Sequence, residues 1–231
     1  MSAPSSISQF AGAAVVTTWA LLIAPVPSAS AVPSASNGSC PDVEVVFARG
    51  TDEPPGVGEV GQAFVDSLRP KIGPKSMGVY AVDYPATMDF PRAMSGINDA
   101  SSHVEQMATS CPNTKMVLGG YSQGAAIMGF VTSAAIPEGA PKDAPRPMPT
   151  DVANHVAAVT LFSTPSDQFM SMVGQPGIVI GPAYVAKTTQ LCASGDTICS
   201  SGGNWAVHDH YATDPTIEQG AAFAAGRISQ P

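Results

Sequence analysis

The residues best suited to chemistry in this chain are Gly120-Tyr121-Ser122-Gln123-Gly124, a G-x-S-x-G pattern. An apolar run at 116–118 precedes it, and alanines follow from Ala125. Alone the pattern is weak, because a chain rich in glycine and serine produces it by chance. Between a strand and a helix it gains meaning: a sharp turn lifts the serine hydroxyl clear of the sheet, and flanking glycines leave room for that turn. The competing reading of Ser122 is a helix N-cap. A serine hydroxyl is a poor nucleophile until a base takes its proton and a carboxylate orients the base. Where the chain order is serine, acid, histidine, the candidate bases are His208 and His210 in "VHDHY". His103 and His155 read as polar or packing residues. Among the intervening acids, Glu138, Asp143 and Asp151 lie on or beside a proline-rich stretch. Asp196 follows Gly195 inside "CASGDTIC". A small disulfide ring there would hold its carboxylate rigidly, which favours Asp196, with Asp167 the runner-up. Such a set transfers an acyl group through a covalent serine intermediate. The alternative for the histidine pair, an H-x-H metal site, lacks an accompanying carboxylate or cysteine cluster.

Positioning these groups requires a scaffold, and the hydrophobic pattern describes one. β-Branched or apolar runs predict strands at 43–48, 77–82, 115–120 and 156–162, with a weaker fifth at 184–191. Helical spacing predicts helices at 60–72, 92–109, 122–135 and 216–227. The alternation implies βαβ crossovers and a mostly parallel sheet, whose chemistry collects at the carboxyl ends of the strands. Residues 137–150 read as a proline-rich loop. Residues 165–182 are apolar but broken by glycine and proline, either a wall over a site or a buried irregular segment.

The 231 residues allow one or at most two domains with a sizeable core. The 44% hydrophobic and 12% charged residues argue against disorder. A net charge of -8 argues against a nucleic-acid partner. Residues 10–26 carry no charge, and "ASA" at 29–31 is the small-residue pattern of a signal-peptidase site. We expect a cleaved signal peptide at 1–31 and a flexible leader at 32–39. Pro25 and Pro27 disfavour a permanent membrane span. The absence of Lys and Arg from the first nine residues departs from the usual signal pattern.

The four cysteines all follow that cleavage point. Two disulfides are expected in an exported chain, with three possible pairings. The short loop favours Cys192–Cys199, which leaves Cys40–Cys111. A Cys₄ metal site is the rival, but neither pair has the close spacing such sites favour.

Together, "DVEVVFARGT", "GGYSQGA", "CASGDTIC" and the His-x-x-Tyr of His208 and Tyr211 resemble the cutinases, most closely the exported mycobacterial cutinase-like serine esterases. The likeness spans residues 40–231. It implies a single α/β-hydrolase domain with a five-stranded parallel sheet, helices on both faces and two disulfides. It implies carboxylic ester hydrolysis by Ser122, Asp196 and His208, with no cofactor and no metal. His208 rather than His210 is implied because the family tyrosine stands three residues beyond the base. An oxyanion hole from the backbone amides of Thr51 and Gln123 is likewise implied. The expected substrate is a lipid or polyester ester of short to medium acyl chain, acted on by a monomer that is secreted or held at the cell envelope. Loops 137–150 and 165–182 look longer than in compact fungal cutinases, so cutin itself is not the implied substrate. The same machinery could pass an acyl group to an alcohol, and the scaffold could serve binding alone.

Overall fold

The computed structural model of the chain describes residues 40–230. The expected signal peptide and leader lie outside the described residues. In chain order the elements are β1 (Val43–Ala48), α1 (Gly58–Leu68), β2 (Met77–Ala81), α2 (Met94–Ser110), β3 (Lys115–Tyr121), α3 (Gln123–Val131), β4 (Val156–Phe162), α4 (Asp167–Met172), α5 (Pro182–Val185), β5 (Thr188–Leu191), α6 (Trp205–His208) and α7 (Thr216–Ile228). The five strands form one sheet in the order β2-β1-β3-β4-β5, and every neighbouring pair is parallel.

Strand alternation divides the core between the two faces of this sheet. Val45, Phe47, Val117 and Phe162 pack with Phe64 of α1 and Ala221 of α7. Val46, Leu118, Val159 and Leu161 pack with Val104 of α2 and Ile127 of α3. Both faces are covered, which is why β1, β3 and β4 are predominantly apolar rather than alternating. Phe47, Phe64 and Phe162 meet with ring centroids 5.6 to 6.5 Å apart. Among the described residues, no helix is long and apolar enough to cross a membrane.

Four local expectations change. The helix expected at 60–72 begins at Gly58 and finishes as a 3₁₀ turn, Arg69–Ile72, because Pro70 has no N–H to continue the α-helical ladder. The helix expected at 122–135 stops at Val131. There Thr132 Oγ1 donates to the Met128 and Gly129 carbonyls at 2.8 and 3.1 Å, and Thr132 O accepts from Gly181 N. Only Thr188–Leu191 of the expected fifth strand is extended, since Pro182 starts a helical turn after Gly181. Within 165–182, α4 forms where the Ser166 hydroxyl accepts from Phe169 N.

Candidate active site

Ser122 follows β3 and precedes α3 with φ 54° and ψ −116°, a region that side-chain-bearing residues rarely occupy. Two glycines permit the turn by close approach. A Cβ on Gly120 would lie 2.3 Å from Gly124 O, and one on Gly124 would lie 1.9 Å from Ala48 O. The pattern therefore packs β3 and α3 against the end of β1. The Ser122 side chain makes no N-cap hydrogen bond to α3, so its hydroxyl is directed elsewhere.

Its partner is His208, whose Nε2 lies 2.9 Å from Ser122 Oγ. On the other side of that ring, Nδ1 lies 3.2 Å from Asp196 Oδ2. Asp196 is fully buried, and Ser122 and His208 are 8% and 7% exposed. His208 closes α6, a four-residue turn capped by the Asn204 side chain accepting from Ala206 N. The Tyr121 hydroxyl donates to the His208 backbone carbonyl, and the two rings stack 5.1 Å apart. Tyr121, the residue before Ser122, thus holds the histidine in place.

Asp196 stands in the ring closed by Cys192–Cys199, while Cys40–Cys111 ties the segment before β1 to the end of α2. No described cysteine is free, so no thiolate remains for the Cys₄ metal alternative. Asp196 Oδ1 accepts from Ile198 N at 2.9 Å, and Oδ2 accepts from Tyr211 OH at 2.8 Å and from the Ser163 hydroxyl. Burial alone would raise this carboxyl, but hydrogen bonds from His208, Ser163, Ile198 N and Tyr211 outweigh it and hold the group at about 2. Burial pushes the Tyr121 and Tyr211 phenols up, which keeps them protonated as donors.

Ser163 was not legible as a site residue. It is fully buried at the end of β4 with φ 52°, and its Oγ also lies 3.0 Å from His208 Nδ1. Its one sequence signal is its place at the carboxyl end of a central strand, where functional groups collect. Tyr211, noted in the sequence only as a motif marker, reaches the same carboxylate.

Other candidates fall elsewhere. His210 is exposed, as are Glu138, Asp143, Asp151 and Asp167. His103 stacks on Tyr80 at 3.5 Å and meets Glu44 at 3.2 Å. His155 Nδ1 lies 3.0 Å from Pro112 O.

Thr51 and Gln123 line the same cavity as Ser122. Gln123 opens α3, where the first N–H groups of a helix have no intrahelical partner. Its side chain donates to Thr87 O at 2.9 Å. The turn carrying Thr51 is held by buried Arg49, which donates to Glu53 O and Tyr84 O at 2.9 and 2.7 Å. Asp52 N donates to Ala86 O at 2.6 Å. The cavity has a volume of about 550 Å³, with Met88, Phe90, Met94, Phe169 and Trp205 among its walls.

The carboxyl of Asp196 predicts an acid sensitivity. Its folded value of about 2 lies below the ordinary 3.8, so its contribution is present above pH ~4 and is lost as pH falls toward ~2. The loss should be on the order of 2 kcal/mol, read from denaturant unfolding across that range. Asp196→Asn should lack this component. Ser163→Ala removes a hydrogen bond that lowers the carboxyl, so its acid loss should be smaller and should be complete at higher pH. Identical acid profiles for wild type and both variants would contradict the assignment.

A sequence model of the cutinase family matches residues 39–228. The chain is 67% identical over 171 residues to "Probable carboxylesterase Culp5" of Mycobacterium tuberculosis, covering 74% of this chain and 98% of that protein. It is 46% identical over 228 residues to "Carboxylesterase Culp1" of the same organism, covering 97% of each. Among solved structures, it resembles a Trichoderma reesei cutinase in complex with a phosphonate inhibitor. That match has a TM-score of 0.63 and 33% identity, and covers 83% of this chain and 78% of that one.

Proposed function

This chain belongs to the cutinase family of carboxylic ester hydrolases, and from that premise we propose a secreted serine esterase acting on short to medium acyl esters of lipids or polyesters. The observation that carries the reading is the hydrogen-bonded run from Ser122 Oγ through His208 to Asp196 at the wall of an apolar cavity. His208 Nε2 takes the hydroxyl proton as Ser122 Oγ attacks the ester carbonyl. The oxyanion of the tetrahedral intermediate is met by the backbone N–H groups of Thr51 and Gln123. His208 then gives its proton to the leaving alcohol, and an acyl-Ser122 ester remains. A water, deprotonated by the same nitrogen, attacks that ester; the proton returns to Ser122 and the acid departs. Asp196 holds the Nδ1 proton in place and stabilises the imidazolium. The apolar walls formed by Met88, Phe90 and Phe169 receive the acyl chain.

Every group in this scheme comes from one chain, which supports action as a monomer. The uncharged 10–26 run and the "ASA" pattern support export, to the medium or to the cell envelope. The test uses chain recovered from the culture medium, whose intact mass reads removal of residues 1–31. Matched p-nitrophenyl esters and anilides are assayed from pH 5 to 9, with and without EDTA. Ester turnover should be inhibited toward acid, because a protonated base cannot accept the Ser122 proton. Chelator should change nothing, and anilides should be poor substrates. A flat acid limb, loss of activity with EDTA, or faster anilide turnover would each overturn the proposal. With an added alcohol, ester product exceeding free acid would assign the chain to acyl transfer instead.

A further inference from the structure

Beside the cavity that contains Ser122 lies a second one, of about 160 Å³. Met94 and Ile97 of α2, Phe130 of α3, and Gln175 line both. The partition between the two cavities is therefore built of side chains. Met94, Ile97 and Phe130 are only half-buried, and a methionine side chain adapts readily to different neighbours. The far wall comes from the proline-rich loop, with Pro137, Pro141, Pro145 and Pro147 in its lining.

That wall suits an alkyl chain. An ordinary loop turns unpaired N–H groups toward a cavity, and covering them with hydrocarbon is unfavourable. Proline has no N–H, and those of Ala140 and Ala144 already bond to the Pro137 and Pro141 carbonyls at 3.2 and 3.0 Å. Among the described residues, Arg146 is the one charged residue lining this cavity, and it is exposed. Ile136, beside it, is 47% exposed despite its size.

We propose that the second cavity is a distal acyl subsite: a chain too long for the first passes between Met94 and Ile97 on one side and Phe130 on the other, and ends beneath loop 137–147. The ligand class is the ester of a long, unbranched acyl chain. This rests on the esterase reading above and extends its chain-length range. Adjacency identifies the occupant: the two cavities share Met94, Ile97, Phe130 and Gln175, and the esterase reading brings an acyl chain, attached to the carbonyl at Ser122, against that shared wall.

The test compares kcat/KM for p-nitrophenyl esters of four to sixteen carbons, each below its micellar concentration. In the wild-type protein the fourteen-carbon ester should fall no more than about tenfold below the eight-carbon ester, since further buried methylenes favour binding, each by up to roughly fourfold. A steeper fall overturns the proposal without any variant. Ser101→Phe, from α2, and Ala140→Phe, from the loop, each narrow the second cavity, and neither residue lines the first. Each variant should lower the ratio of fourteen-carbon to four-carbon kcat/KM by about tenfold or more. An unchanged ratio in either folded variant overturns the proposal. Wild-type protein inactive on the four-carbon ester would instead strike the esterase reading itself.

Discussion

Ser122→Ala is expected to fold as wild type does and to lose ester turnover by on the order of 10⁶-fold, the loss typical of a triad serine. That corresponds to about 8 kcal/mol of transition-state stabilisation. Folding should survive because the hydroxyl does not cap α3 and the elbow depends on the close approach of Gly120 and Gly124. The remaining activity would come from the oxyanion donors and substrate binding. Circular dichroism paired with kcat/KM on a short ester reads both halves of the prediction. A folded variant keeping a tenth of wild-type activity would remove Ser122 from the mechanism.

The second large effect separates two histidines two residues apart. His208→Ala should lose activity on the same scale as Ser122→Ala, because members of one relay fail as a unit. His210→Ala should stay within about threefold, the scale of an ordinary surface substitution. The contrast follows from geometry: His208 is buried 2.9 Å from Ser122 Oγ, whereas His210 is exposed. An inactive, folded His210 variant beside an active His208 variant would reverse the roles.

The parts of the molecule legible in its sequence are those whose burial is repetitive. The strands β1, β3 and β4 are covered on both faces, so each is predominantly apolar rather than alternating. Of these, β1 and β4 begin and end where the pattern predicts. Asp196 could be favoured because two cysteines seven positions apart enclose it. Short elements were less legible. The turn α6 spans four residues, too few for a period, and it is held by the Tyr121 hydroxyl from β3. The choice of His208 came from the family's spacing to Tyr211; nothing local to "VHDHY" distinguishes the two rings. Ser163 was missed because its backbone conformation and its contact with Asp196, 33 residues away, are properties of the assembled fold. The loop at 137–150 was recognised as proline-rich, but its role as a cavity wall required α2 and α3 to be in place.

The central claim is that Ser122 is the nucleophile, activated by His208. Its most direct test is stoichiometric reaction of the intact protein with a fluorophosphonate, followed by peptide mass spectrometry. The account predicts one label per chain, on Ser122, with ester hydrolysis falling in proportion to labelling and neither occurring in His208→Ala. Label on another residue, or full hydrolytic activity in fully labelled protein, would contradict it.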